Sequence, residues 1–156
     1  MKAIQVSTIG SPSVLKITSV ALPSTLDSEI LVKNAYSGVN FIDTYHRSGL
    51  YTVTLPFIPG REGSGIISSL GSAVRGFSVG DRVAYTAGAT YAEFTSVSAS
   101  SCVKLADNID LKVGAALLLQ GLTAMALTKL AHCVGKDDVV LVHAAAGMLF
   151  VSIVVL

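Results

Sequence analysis

The residue pattern changes character near Lys104, and this change constrains the fold more than any other feature of the sequence. Before it, residues 3–37 alternate apolar and polar side chains, with turns rich in glycine and proline between the runs. Such alternation is typical of antiparallel strands with one face in water. Residues 63–97 continue the pattern, and their glycines indicate bends or bulges in a strongly curved sheet. We therefore predict a curved, mainly β domain, an antiparallel sheet or partial barrel, over about residues 1–105.

Beyond that point the pattern becomes helical. Apolar residues and capping signals predict helices over 113–119 and 122–133. A run of β-branched residues then predicts a buried strand over 139–142. A β-rich part followed by helices and a strand indicates two domains, which we place at residues 1–110 and 111–156.

Composition and charge exclude several classes of function. The net charge is +1 and only 13% of residues are charged, so the chain lacks the basic footprint of a nucleic-acid-binding protein. The two cysteines have no spacing typical of a zinc ribbon or a disulfide framework. The N-terminus lacks the apolar stretch of a signal peptide. We expect a cytoplasmic location and no nucleic-acid partner.

A turn of small residues, 144–147 with the sequence Ala-Ala-Ala-Gly, directly follows the predicted strand. In a dinucleotide-binding unit such a turn allows the backbone to approach a pyrophosphate. Met148, Leu149 and Phe150 follow where further glycines are usual, and their bulk opposes that approach. We therefore expect weak dinucleotide binding and impaired catalysis by this chain alone.

One segment resembles the signature of the medium-chain dehydrogenase/reductase superfamily: Gly60-Arg61-Glu62-Gly63-Ser64-Gly65. Where the zinc alcohol dehydrogenases of that superfamily have a histidine and a cysteine as zinc ligands, this chain has Arg61 and Asn40. Neither a guanidinium nor an amide supplies a zinc ligand, so we predict no metal site. Instead, we expect Arg61, Glu62 and Asp43 to form a buried ionic cluster in that place.

The zinc-less pattern is similar to the quinone oxidoreductase branch, the ζ-crystallin-like NADPH:quinone reductases. Five further segments match that branch in the same order: 43–51, 79–85, 91–94, 120–124 and 143–147. The resemblance implies a GroES-like β domain followed by the beginning of an α/β Rossmann domain. It also implies an NADPH-dependent enzyme that transfers a hydride from nicotinamide to a quinone.

By the same resemblance, Asn40, Tyr45 and Tyr51 line the nicotinamide and quinone pocket and are the expected catalytic residues. A tyrosine offers a flat apolar face to a flat substrate and a hydroxyl donor at its edge. Such a donor stabilises the oxyanion that develops on a quinone during reduction. The expected NADPH-binding residues are Asn40, Thr123, Ala146 and Gly147.

Each of these residues also has a structural interpretation. Asn40 can cap the short helix predicted over 40–47. Tyr45 and Tyr51 can be ordinary half-buried tyrosines. The hydroxyl of Thr123 can bond to a backbone carbonyl of its own helix.

Two other functions compete with the reductase. Residues 139–156 carry no formal charge and reach the lower length limit of a membrane-spanning helix, as in a tail-anchored protein. Their β-branched residues favour a strand instead, so we expect no membrane insertion. A non-catalytic GroES-like module that binds a partner through exposed apolar surface is the third interpretation. The unpaired strand 139–142 also predicts homodimers or aggregates.

Overall fold

The computed structural model describes residues 1–143 and Gly147. The chain divides into two compact units, of which the first comprises Met1–Ala116 and the second begins at Leu117. The assignment of residues 1–110 and 111–156 to two domains stays a prediction.

The first unit is a curled antiparallel sheet, as the alternating pattern predicted. Its strands are β1 (Lys2–Gln5), β2 (Lys16–Ser19), β3 (Glu29–Ser37), β4 (Glu62–Leu70), β5 (Arg82–Thr86), β6 (Phe94–Ser98) and β7 (Cys102–Lys104). β1 and β2 pair with each other, and the other five pair in the order β6-β3-β4-β5-β7. All of these pairs are antiparallel. The prediction of a curved, mainly antiparallel β domain is confirmed.

Helix α1 (Phe41–Ser48) follows β3 and confirms the short helix predicted over 40–47. It ends at Gly49, which has a φ of 84°, a left-handed conformation that glycine adopts without steric cost. The short 3₁₀ turns Pro12–Val14 and Ala99–Ser101 complete the regular structure of this unit.

The core lies on one face of the five-stranded sheet. It consists of alternating apolar residues from the central strands: Ile30, Val32, Ile67, Val83, Tyr85 and Val97. Gly65 allows β3 and β4 to approach each other closely, because a Cβ at this position would collide with the carbonyl oxygen of Lys33. The register of β3 against β4 shifts between Asn34 and Tyr36, in keeping with the predicted bulges.

A buried polar network crosses the sheet at this shift. The Asn34 amide donates to the carbonyl oxygen of Ala92 at 2.8 Å and to the hydroxyl of Thr95 at 2.9 Å. Its Oδ1 accepts from the Tyr85 hydroxyl at 2.5 Å. Burial raises the pKa of Tyr85 to about 12, so this hydroxyl remains a donor at neutral pH. Because its polar groups bond to one another, the network connects β3 to β5 and β6, and these hydrogen bonds offset the cost of removing the groups from water.

The helical region differs from the prediction. One helix, α2 (Leu111–Met125), continues directly into a π-helical segment, Ala126–Ala131. The two helices predicted over 113–119 and 122–133 are therefore one, and the predicted break is wrong. Gly121 lies between the two predicted helices, but a glycine inside a helix costs only about 1 kcal/mol relative to alanine, and neighbouring turns can offset that cost.

The buried strand predicted over 139–142 is not present in the structure. These residues pair with no strand in the described part of the chain, and Val139 is 101% exposed. A β-branched run becomes a strand only when a neighbouring strand accepts its backbone hydrogen bonds. The β-propensity of residues 139–142 was therefore insufficient to predict a strand.

The helical stretch Leu111–Ala131 is long and apolar enough to cross a membrane. It has 21 residues and a mean hydropathy of 1.5, and 17% of its 18-residue apolar stretch is buried. Core helices of soluble proteins share this length and composition, so the helix is weak evidence for a membrane span. Most of the uncharged tail considered above, residues 139–156, lies outside the described residues.

We predict that Tyr85→Phe lowers the free energy of unfolding by about 1–3 kcal/mol, because the buried Oδ1 of Asn34 loses its hydroxyl donor. Tyr36→Phe is the matched control, since Tyr36 lies on β3 with an exposed side chain, and it should change stability by less than about 0.5 kcal/mol. Urea denaturation followed by circular dichroism measures both. Equal effects of the two substitutions would contradict the importance of the network.

Candidate functional site

Asn40 begins α1 and fixes its first turn. Its backbone is extended, with φ −121° and ψ 153°, as expected of a residue that precedes a helix. Its N–H donates to Oδ2 of Asp43, three residues further along, at 2.9 Å. The Asp43 carboxylate also complements the partial positive charge of the helix N-terminus. The reciprocal bonds of a capping box are present, so the structural interpretation of Asn40 as a helix cap is confirmed.

The carboxamide of Asn40 is oriented by Glu62. Nδ2 of Asn40 donates to Oε1 of Glu62 at 2.9 Å, and the Glu62 side chain is only 1% exposed. The glutamate fits because Gly38 has no side chain, and a Cβ there would collide with the Glu62 carboxylate. A buried carboxylate requires hydrogen-bond donors, so the amide and the acid hold each other in place.

Asp43 connects three separate parts of the chain. Besides the Asn40 N–H, it accepts hydrogen bonds from the Gly60 N–H at 3.2 Å and from the Tyr91 hydroxyl at 2.9 Å. Burial, together with the negative charge of Asp43, raises the pKa of Tyr91 well above its ordinary value, so the phenol stays protonated and continues to donate. The N-terminus of α1 is thereby fixed to the start of β4 and to the loop before β6.

Arg61 is not part of this cluster, contrary to the expectation from the sequence. Asp43 and Glu62 are buried as expected, but Arg61 is exposed. Its Nη2 lies 3.5 Å from Nε2 of His46. The amide of Asn40 and the Tyr91 hydroxyl donate to the two carboxylates, whereas the guanidinium of Arg61 lies in water, where its solvation is most favourable.

Tyr45 and Tyr51 lie together in an aromatic cluster on the outer side of α1. Their ring centroids are 5.3 Å apart in an edge-to-face arrangement, and the Tyr51 N–H donates to the Tyr45 carbonyl at 3.2 Å. His46 and Phe57 extend the cluster, with His46 edge-on to Tyr51 at 6.1 Å and to Phe57 at 6.4 Å. Phe41 completes it, at 6.5 Å from Tyr45.

The hydroxyls of the two tyrosines are available to a ligand. Neither has a hydrogen-bond partner among residues 1–143 and Gly147. Tyr45 is partly buried and Tyr51 is 49% exposed. The structure thus brings Asn40, Tyr45 and Tyr51 onto one short helix and the loop that follows it, with a fixed amide at one end and free phenols at the other.

The remaining expected cofactor residues lie in the second unit. The hydroxyl of Thr123 donates to the carbonyl of Leu119 at 2.8 Å, the backbone bond foreseen as its structural alternative. Gly147 is exposed, whereas Ala146 lies outside the described residues, as do Met148, Leu149 and Phe150. The expectation of weak NADPH binding, which depends on those three side chains, stays a prediction.

Sequence reasoning overlooked Tyr91 and Phe57 as parts of the site. Tyr91 begins the matching segment 91–94 and could have been singled out there. Its hydroxyl bonds to Asp43, which lies 48 positions earlier in the chain. No short-range sequence pattern predicts a contact between residues that far apart. Phe57 lies in a loop with no periodic pattern.

In the described part of the chain, no group of three or more His, Cys, Asp or Glu side chains is arranged to hold a metal ion.

Comparison with known proteins adds independent information. Residues 26–108 match the family described as the alcohol dehydrogenase GroES-like domain. A curated relative, the probable quinone oxidoreductase of Schizosaccharomyces pombe, is 46% identical over 92% of this chain and 44% of its own length.

Two solved structures share the fold. A mycobacterial protein in complex with NADPH superimposes with a TM-score of 0.93 and 42% identity, over 98% of this chain and 48% of its own. The Escherichia coli quinone oxidoreductase, also complexed with NADPH, gives a TM-score of 0.84 and 35% identity over 88% and 43% of the two chains.

The chain spans about half the length of the relatives it matches. These relatives confirm the resemblance to the quinone oxidoreductases that the motifs indicated. With more than half of its residues matched by one family, the chain belongs to the alcohol dehydrogenase GroES-like domain family.

Proposed function

We propose that this chain provides the quinone-binding half of an NADPH-dependent quinone oxidoreductase. The observation that carries the proposal is the pair of adjacent phenols, Tyr45 and Tyr51, whose hydroxyls have no partner among the described residues, on the helix that Asn40 caps and the loop after it. The names of the relatives support it, because both the Schizosaccharomyces pombe protein and the Escherichia coli structure are described as quinone oxidoreductases. We further propose a cytoplasmic enzyme whose second substrate is a small quinone, with no nucleic-acid or membrane partner.

The roles of the tyrosines follow from the chemistry of the substrate. Reduction of a quinone adds a hydride and a proton and converts two carbonyl oxygens to hydroxyls, one of which carries developing negative charge. A Tyr51 hydroxyl directed at that oxygen stabilises the charge by hydrogen bonding. The edge-to-face rings of Tyr45 and Tyr51 offer an apolar surface to the flat quinone. Asn40 orients the reactants through a side chain that Glu62 holds in one rotamer.

Thr123 and Gly147 suit the binding of a nicotinamide cofactor, which would supply the hydride. Thr123 already donates its hydroxyl proton to Leu119, so it would meet the N–H groups of a carboxamide as an acceptor. Gly147 lacks a side chain and would allow close approach of a phosphate. We therefore propose that Asn40, Thr123, Ala146 and Gly147 hold NADPH.

We predict unequal effects of two substitutions at Tyr51. Tyr51→Phe removes one hydrogen bond and should lower kcat/KM for NADPH-dependent benzoquinone reduction by about 0.5–1.5 kcal/mol of transition-state stabilisation. Tyr51→Ala also removes the ring face and should cost more. Steady-state kinetics of a fusion of this chain to the C-terminal half of the Schizosaccharomyces pombe relative measures both.

The control for this comparison is Tyr36→Ala, which removes an exposed tyrosine from β3, outside the aromatic cluster. It should leave kcat/KM unchanged. Negligible effects of both Tyr51 substitutions would remove this residue from the mechanism.

We propose that the enzyme works without zinc. Asn40 and Arg61 stand where zinc alcohol dehydrogenases have ligands, and the Asn40 amide is already engaged with Glu62. We expect metal analysis of untagged, dialysed protein to find far less than one zinc per chain. Stoichiometric zinc that resists dialysis would overturn this prediction.

We also propose that the isolated chain self-associates. Several large apolar side chains are exposed on the helical stretch: Leu117, Leu122, Met125, Leu127 and Leu130. Exposed apolar area of this kind favours association in water. The expected contact is therefore this helical surface, because residues 139–142 form no strand edge.

Light scattering is expected to show dimers or larger species. Leu130→Glu places a charge on the most exposed of these side chains, 85% exposed, and should shift the population toward monomer. Lys129→Glu, which reverses the charge at the adjacent exposed position without removing a large apolar side chain, is the control and should have a smaller effect. A monodisperse monomer of the unsubstituted chain would contradict the proposal.

A further inference from the structure

An arginine borders the aromatic cluster where sequence reasoning expected a buried ionic group. The Arg61 guanidinium is exposed, and its Nη2 lies 3.5 Å from Nε2 of His46. The His46 ring is in turn edge-on to Tyr51, at 6.1 Å between centroids and an interplanar angle of 60°. One imidazole therefore separates a positive charge from the tyrosine face.

Arg61 forms no ion pair with any residue that the structure describes. The ion pairs in the described part of the chain join Lys104 to Asp81 and His132 to Asp138. The nearest carboxylates in sequence, Glu62 and Asp43, are buried and accept hydrogen bonds from neutral donors.

A guanidinium presents a planar set of N–H donors that matches two oxygens of a carboxylate or sulfonate. Its contact with His46 is long and uses one of these donors, so further donors remain for a ligand. A flat ligand on the Tyr51 ring that carries an acidic substituent toward His46 would therefore meet a complementary charge.

We propose that Arg61, positioned by His46, is a specificity determinant that favours quinones bearing an acidic substituent over uncharged quinones of the same size. The inference rests on the proposed function, because it takes Tyr51 as the surface on which the quinone lies. Arg61 acts on the substituent and not on the reacting carbonyl, so its effect is on affinity and selectivity.

The test compares two ligands that differ in charge and little in size, anthraquinone-2-sulfonate and anthraquinone-2-sulfonamide, titrated into the chain by calorimetry. We expect the sulfonate to bind about three- to fivefold more tightly, the range of an exposed ion pair. Arg61→Gln should bring the ratio of the two dissociation constants to about one, and Arg61→Lys should restore part of it, because the charge returns without the planar donors. Added salt should also reduce the ratio.

Arg75→Gln is the matched control, since Arg75 is another exposed arginine whose guanidinium bonds to its own loop, and it should leave the ratio unchanged. If both ligands bind through Tyr51 but Arg61→Gln leaves the sulfonate preference intact, the specificity role of Arg61 is wrong and the proposed function stands. If Tyr51→Ala changes the affinity for neither ligand, or neither ligand binds, the proposed quinone surface and this inference both fail.

Discussion

Two buried carboxylates hold the candidate site together. Asp43 accepts hydrogen bonds from the backbone of Asn40 and Gly60 and from the Tyr91 hydroxyl, and Glu62 accepts one from the Asn40 side chain. An unsatisfied carboxylate in the interior costs several kcal/mol, so these donors are required by the fold. The N-terminus of α1 consequently has one position relative to β4.

Two glycines near the site, Gly38 and Gly60, leave room for the buried carboxylates and their hydrogen-bond donors. Gly38 has no Cβ because Glu62 occupies that space, and Gly60 has a φ of 100° and lies against Thr90 and Tyr91. Their lack of side chains allows the chain to pass close to the buried acids. Tyr51 and Arg61 are exposed to solvent and are free of this constraint.

Much of the β fold was predictable because its cause is local. Strand alternation and glycine-containing turns depend on neighbouring residues, so β1 to β6 lie almost entirely within the two regions, 3–37 and 63–97, that the pattern predicted to be β. The break in the helical region was wrong, because Gly121 is compatible with a continuous helix. The strand predicted over 139–142 was also wrong, because a strand depends on hydrogen bonds from a partner that no local pattern supplies.

The same distinction holds for the site. The sequence by itself determined the family, the curled β fold and the cap at Asn40, since motif order, alternation and capping are short-range properties of the chain. Only the tertiary structure decided which charges are buried. Asp43 receives Tyr91 from 48 residues away, and Arg61 remains in water beside His46 although its sequence neighbour Glu62 is buried. Which charged side chains are buried depends on the cost of desolvation and on the hydrogen bonds available in the interior. Both depend on groups that come into contact only after folding.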